Sequence, residues 1–242
     1  MIKFFSARAF AAGDTVDLGE AAVHHARVRR VAVGDAARVL DGRGSVGTGR
    51  IHHLTKARLE VQISSVATVA RPAELAVFVP VADRDRMLIA AEKCAELQIT
   101  RWQPVVFERS RSVSPRGEGE KFRERVRARM VSALEQSGGA WLADIDAEIT
   151  AHELWTSVAG DWNRLVLDSR GTSMATRKHR SLNAIAVGPE GGLSGSELAD
   201  AETAGWERAS IGSTTLRFET ALIAGVAIVR STQEASQEVR GG

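Results

Sequence analysis

One stretch constrains this chain more than any other: the apolar run Ala184–Val187, then Gly188-Pro189-Glu190-Gly191-Gly192, then Ser194-Gly195-Ser196-Glu197. The run reads as a buried strand. Pro189 has no N–H and a fixed φ, so the strand stops there. The glycines permit φ > 0 and let backbone approach a ligand closely. Ser194 and Glu197 form an S-x-x-E capping box at a helix start. Strand, glycine loop and helix in this order are the layout of a ligand site at the C-terminal end of an α/β strand.

The loop's chemistry narrows the ligand. G-x-x-x-x-G-K-[ST] and G-x-G-x-x-G are both absent here, and Glu190 would repel a phosphate. A carboxylate in a glycine loop suits a cationic or hydroxyl-rich ligand; the alternative is a tight turn that binds nothing. A second strand, Glu207–Ile211, ends at Gly212. Leu216-Arg217-Phe218-Glu219-Thr220-Ala221 then leads into Leu222–Val229, apolar on every side and therefore buried or in an interface.

At 242 residues with 44% hydrophobic content, the chain has room for one large domain or two unequal ones. No apolar run reaches the length of a membrane span. The N-terminal MIKFFSARAFAAG is interrupted by Lys3 and Arg8, which makes a poor signal-peptide core. A single cysteine forms no internal disulfide, so the expected compartment is the cytoplasm. Residues 1–71 carry 11 Lys/Arg against 6 Asp/Glu, and the rest of the chain is net acidic. A basic N-terminal part suggests an anionic partner, with an ordinary solvated surface as the alternative.

Residues 1–70 read as mostly β, with strand-like runs at Val16–Leu18, Ala37–Leu40, Gly47–Ile51 and Arg58–Ile63 and a short helix over Glu20–Val31. Asp41-Gly42-Arg43-Gly44 is a turn. The pattern fits a small β-barrel. Arg8, Arg29 and Arg30 are suited to phosphates, and few aromatics are present to stack bases, so backbone and shape contacts are expected. His24-His25 and His52-His53 do not present paired ligands to one ion, because adjacent side chains diverge, so no metal is expected; His25 is read as an RNA contact or a turn cap.

Arg71-Pro72 is the linker. Beyond it strands alternate with helices: strand Leu75–Val81, a helix over Arg84–Leu97 capped by Asp83, strand Gln103–Phe107, a polar loop over 109–120 containing Pro115, helix Lys121–Gln136, and strands Arg164–Leu167, Ala184–Val187 and Glu207–Ile211. This alternation predicts a parallel sheet with helices on both faces. Residues 101–130 hold 9 Lys/Arg against 4 Asp/Glu. Arg109, Arg123 and Arg127 there are candidates for a second RNA surface, the alternative being a solvated basic helix. Cys94 sits among alanines on the apolar face of its helix, so it is read as inert packing; a nucleophilic cysteine needs exposure and a lowered pKa.

GPEGG, then Ile211-Gly212, then Leu216-Arg217-Phe218-Glu219-Thr220-Ala221 resembles the 16S ribosomal RNA (uracil-N3)-methyltransferases, the RsmE family of the SPOUT superfamily. Lys93-Cys94-Ala95-Glu96-Leu97, Glu108-Arg109-Ser110, Glu135-Gln136-Ser137 and His24-His25 with Val28-Arg29 extend the resemblance over nearly the whole chain. Four positions depart from the family pattern: Gln98 stands for Gly, Gly139 for Arg, Thr214 for Arg and Phe218 for Thr.

The resemblance implies an α/β fold: a SPOUT-type parallel sheet over 73–242 whose residues from about Gly188 to Thr220 form a trefoil knot, plus a PUA-like RNA-binding β-barrel over 1–70. It implies S-adenosylmethionine bound by Leu167, Val187, Gly188, Glu190, Gly191, Gly192, Ile211, Gly212, Leu216 and Arg217. It also implies methylation of a uridine N3 in small-subunit ribosomal RNA and a homodimer. Arg217 is the candidate to stabilise charge on the ionising uracil, with Glu219 orienting it or acting as base; a structural pair at the helix start is the alternative. Two other functions stay open: methylation of another RNA target, such as a tRNA ribose 2′-hydroxyl, and a catalytically inactive ribosome-assembly factor.

Overall fold

The computed structural model describes residues 1–112, 116–177 and 181–241, so Pro115 of the predicted polar loop lies outside the described residues. The chain forms two compact units: Met1–Pro72 with Val131–Leu142, and Ala73–Met130 with Ala143–Gly242.

The first unit holds β1 (Ile2–Phe5), β2 (Thr15–Asp17), α1 (Gly19–Val28), β3 (Ala36–Leu40), β4 (Ser45–Leu54) and β5 (Leu59–Thr68). Its sheet runs β1-β3-β4-β5-β2, with β1 parallel to β3 and the other pairs antiparallel. Inward residues at alternate positions, among them Val39, Ile51, Val61 and Ile63, close on Ala22, Val23 and Ala26 of α1. Strand β1 was not among the expected strands. Phe4 draws it in: the ring is fully buried and packs edge-on to His25 at 5.7 Å. Helix α1 stops three residues short of the expected Val31, and Arg30 just beyond it takes φ 54°.

Glu135 ties this unit together. Its Oε1 accepts from Phe5 N at 2.8 Å, and its Oε2 lies 3.3 Å from His25 Nδ1. Lys3 Nζ donates to Gln136 O at 2.9 Å. The Glu135-Gln136-Ser137 segment therefore anchors the first strand.

The second unit holds β6 (Leu75–Pro80), α2 (Arg84–Glu96), β7 (Arg101–Val106), the first part of α3 (Glu120–Ser137), β8 (Asp144–Ile145), β9 (Ile149–Thr150), α4 (Ala151–Ser157), β10 (Asn163–Ser173), β11 (Asn183–Val187), α5 (Gly195–Thr203), β12 (Glu207–Ser210) and α6 (Phe218–Gly241). The sheet is parallel throughout, in the order β12-β10-β11-β6-β7-β8, with β9 also beside β7.

Strands β6 and β11 are buried at every position, as a sheet covered on both faces requires. On one face Phe78, Phe107, Trp155, Val166, Leu198 and Trp206 form the core, with Trp155 edge-on to Trp206 at 5.3 Å. On the other, α6 packs over β6 and β11 and against α2. Cys94 is fully buried on α2, and burial raises its thiol pKa far above the ordinary range.

Four elements exceed the sequence expectation. Strands β8 and β9 are two residues each, too short for a periodic signal. Helix α4 has its own capping box, Thr150 with Glu153, of the same type as the one at Ser194. Strand β10 was expected to end at Leu167 but resumes after a bulge and runs to Ser173.

Candidate functional site

Strand β11 ends at Val187, and the chain turns through Gly188–Gly192 into α5. Gly192 N donates to Pro189 O at 2.7 Å, closing a turn in which Gly192 takes φ 69°. The predicted capping box is present: Ser194 Oγ accepts from Glu197 N at 3.2 Å, and Glu197 Oε2 accepts from Ser194 N at 2.8 Å. Glu197 is buried, and its second oxygen accepts from Glu108 N at 2.8 Å.

Two guanidinium groups hold the loop from outside. Arg109 Nη1 donates to Gly191 O at 2.7 Å and Leu193 O at 3.3 Å. Arg86 Nη1 lies 3.3 Å from Glu190 Oε1. The Glu108-Arg109-Ser110 segment thus braces the glycine loop through both its backbone and its arginine.

A second turn lies alongside, where Ser210 Oγ donates to Gly212 O at 2.9 Å. The third wall is the bulge in β10. Leu167 and Thr172 both stand in register with Ala209, so Asp168–Gly171 loop out of the ladder between them. The loop returns tightly: a Cβ on Gly171 would meet Ala209 N at 2.5 Å, so only glycine fits there.

These walls enclose a cavity of about 210 Å³. Of the residues expected to bind a cofactor, Leu167, Val187, Gly188, Glu190, Gly192, Ile211, Gly212 and Leu216 line it, and Gly191 and Arg217 do not. A Cβ on Gly191 would meet Arg109 Cδ at 3.3 Å, so that glycine serves the brace rather than the cavity. At Gly212, which lines the cavity, a Cβ would meet nothing within 4 Å. From behind, α6 brings Gly225 against Leu167, whose Cδ1 would lie 3.2 Å from a Cβ placed there.

The expected catalytic pair does not form. Among the described residues no hydrogen bond or ion pair joins Arg217 to Glu219, and neither lines the cavity. Arg217 is exposed, and its carbonyl accepts from Ala221 N at the start of α6. Glu219 is 9% exposed in the first helical turn, and its Oε2 is buried without a hydrogen-bond partner.

Sequence reasoning missed the charged pair that does face the cavity. Asp168 Oδ1 accepts from Arg170 N at 2.8 Å and from Arg170 Nε at 3.2 Å, and Oδ2 accepts from Arg170 Nη2 at 3.1 Å. The Arg170 bonds hold the Asp168 carboxyl below the usual carboxylate range. The D-x-R-G spacing was visible in the sequence, but nothing local marked it as a bulge.

The expected RNA contacts divide in two. Arg8, Arg29, Arg30 and Arg127 are exposed. His25 is engaged by Glu135, Arg109 by the glycine loop, and Arg123 by Glu148 at 2.9 Å. His25 and Arg29 also line a cleft of about 470 Å³ within the first unit, together with Lys3 and Glu135. Among the described residues no group of three His, Cys, Asp or Glu could hold a metal ion, and no helix is long and apolar enough to cross a membrane.

The RNA methyltransferase domain family matches residues 70–230, and the RNA methyltransferase PUA domain family matches residues 18–64. A ribosomal RNA small subunit methyltransferase E of Synechocystis is 30% identical over 230 residues, which cover 91% of this chain and 74% of that protein. The crystal structure of a ribosomal RNA small subunit methyltransferase E from Neisseria gonorrhoeae bound to S-adenosyl methionine superposes with a TM-score of 0.86 at 28% identity, covering 96% of this chain and 97% of that one. A Legionella pneumophila methyltransferase in complex with bound SAM has the same fold, with a TM-score of 0.85 at 21% identity over 95% and 97% of the two chains.

Proposed function

The chain belongs to the ribosomal RNA small subunit methyltransferase E family, and we propose that it methylates N3 of a uridine in 16S ribosomal RNA. It is an S-adenosylmethionine-dependent ribosomal RNA methyltransferase. The uracil-N3 specificity is carried by membership of the family, and the cavity between the glycine loop, the Ile211-Gly212 turn and the β10 bulge supports the cofactor site.

The residues present fit the cofactor. Gly192 and Gly212 leave open the space a Cβ would fill, and the lining mixes backbone with Leu167, Val187, Ile211 and Leu216. We assign the backbone of Gly188, Gly192, Ile211 and Gly212 to the hydrogen-bonding edges of the nucleoside, and Leu167, Val187 and Leu216 to its apolar faces. When bound, S-adenosylmethionine supplies a methyl group on a sulfonium, which needs no metal for activation. What remains for the protein is to bring the base in, stabilise charge as N3 loses its proton, and exclude water.

In this reading residues 1–70 dock the RNA, with Arg8, Arg29 and Arg30 on its phosphates, and residues 73–242 perform the chemistry, with the chain from about Gly188 to Thr220 knotted. A homodimer is part of the proposal. It is supported by Ile89 of α2, 51% exposed, and by Ile223, Ala227 and Ile228 of α6, which are half-buried in one chain. The proposed compartment is the cytoplasm, where the substrate is made.

The test is nucleoside mass spectrometry of 16S ribosomal RNA from cells with and without the protein. Loss of 3-methyluridine at one position on deletion is the expected result. Loss of a ribose methyl in tRNA, or no change in any nucleoside, would refute the assignment.

A further inference from the structure

The β10 bulge carries an arrangement that cofactor binding does not explain. Three hydrogen bonds fix one arginine to one aspartate two residues before it, on the wall of the cavity. The Arg170 side chain is 69% exposed while that of Asp168 is 15% exposed. An ion pair this open adds little to stability. Its geometry does something else: the Asp168 carboxylate fills Nε and Nη2, holds the guanidinium plane in one orientation, and leaves Nη1 without a hydrogen bond among the described residues.

We propose that Arg170, oriented by Asp168, is the catalytic residue that faces the methyl-accepting base, in the role expected of Arg217. The inference rests on the uracil-N3 reading above. Removing the N3 proton spreads negative charge onto O2 and O4, and a planar cation with free N–H groups at the cavity wall is the group that stabilises it. Proton and electrons balance without further reagents. The N3–H proton goes to solvent, the N3 electron pair forms the new N–CH3 bond, and the S–CH3 bonding pair stays on sulfur, leaving a neutral thioether.

Other charged groups near the cavity are less suited. Glu190 has the wrong sign and is paired with Arg86. Arg109 is committed to Gly191 O and Leu193 O. Arg217 stands outside the lining. Asp168 is a positioning residue and not the base: both its oxygens already accept from Arg170, and those bonds lower its pKa and make it a weaker proton acceptor.

The test compares Arg170→Ala, Arg170→Lys, Asp168→Asn and Arg217→Ala in the full chain. Cofactor affinity is read by calorimetry, and methylation under single turnover on small ribosomal subunits from cells that lack the enzyme. Arg170→Ala should lower the methylation rate about 100-fold while the cofactor Kd changes by less than about threefold. Arg170→Lys should recover part of the rate, since it keeps the charge without the fork. Arg217→Ala should lose less than Arg170→Ala. Adding Asp168→Asn to Arg170→Ala should cause no further loss, because the two act as one unit. The rise of rate with pH should move to higher pH in Arg170→Ala, since N3 then ionises without its cation.

A rate within about twofold of wild type in Arg170→Ala would overturn the proposal, as would a parallel loss of cofactor binding. If the wild-type protein itself places no methyl on uracil N3, the uracil reading fails first and takes this inference with it. That outcome is distinct from an active wild type with indifferent Arg170 variants.

Discussion

Arg230 of α6 donates through Nη2 to the carbonyl of Gln98, a residue held at φ 56° just past the end of α2. The same guanidinium reaches Leu97 O through Nε at 3.2 Å, and through Nη1 reaches Ala73 O at 2.9 Å and Gln233 Oε1 at 2.8 Å. Arg230 is 6% exposed, and burial lowers its pKa from the ordinary arginine value. The carbonyls left open at the end of α2 are the groups that offset this desolvation. Arg230→Ala should cost about 3–5 kcal/mol, because buried acceptors lose their donor. Denaturant unfolding measures it; a loss below about 1 kcal/mol would mean that the carbonyls find other partners.

Gln98 stands where the resemblance leads one to expect glycine, and its left-handed backbone, φ 56°, is the conformation that favours glycine. A non-glycine residue there is strained. Gln98→Gly should raise stability by about 0.5–1 kcal/mol, the relieved strain exceeding the extra freedom of the unfolded chain. Arg230 bonds the carbonyl and not the side chain, so that contact persists. A lower melting temperature would show that the glutamine side chain contributes packing.

Gly212→Val should fill the open side of the second turn. Cofactor affinity should fall by more than about tenfold, while the melting temperature without cofactor changes little, because a Cβ at this position meets nothing within 4 Å. Gly191→Ala presses on Arg109 instead and should loosen the loop without filling the cavity. Calorimetry and thermal melts on both variants separate the two effects.

Cys94 should be unreactive in the folded protein. Its thiol is buried and its pKa raised by desolvation, so almost no thiolate exists at pH 8. Iodoacetamide should label it only after denaturation. Rapid labelling of the native chain would mean that α2 opens locally.

Ile89→Asp and Ile228→Asp should convert a dimer to monomer, since each places a charge in the face proposed to pair. Light scattering at working concentration reads the mass. Wild type that is already monomeric would remove the dimer from the proposed function.

What was legible in the sequence was local chemistry. Pro189 and its glycines, the Ser194-x-x-Glu197 box and the Asp83 cap each form with residues a few positions away, and each is present as read; Asp83 Oδ1 accepts from Asp85 N and Arg86 N at the start of α2. The Thr150 box was equally visible and was passed over. What was not legible depends on partners far along the chain. Arg109 reaches a loop 82 residues away, and Glu197 accepts from a backbone amide 89 residues back. The β10 bulge arises from pairing with β12, so its polar residues looked like a loop. Arg217 and Glu219 were adjacent enough in sequence to suggest a pair, yet one residue between them puts their side chains on different sides of a helix start.

Gly225 lies on α6 behind the cavity, and its missing side chain is the slot into which Leu167 leans back. A single methyl group added there would push Leu167 forward and shrink the chamber from the rear. The calibre of the reaction vessel is therefore set in part from its rear wall, where a change at Gly225 acts on the nucleoside only through Leu167.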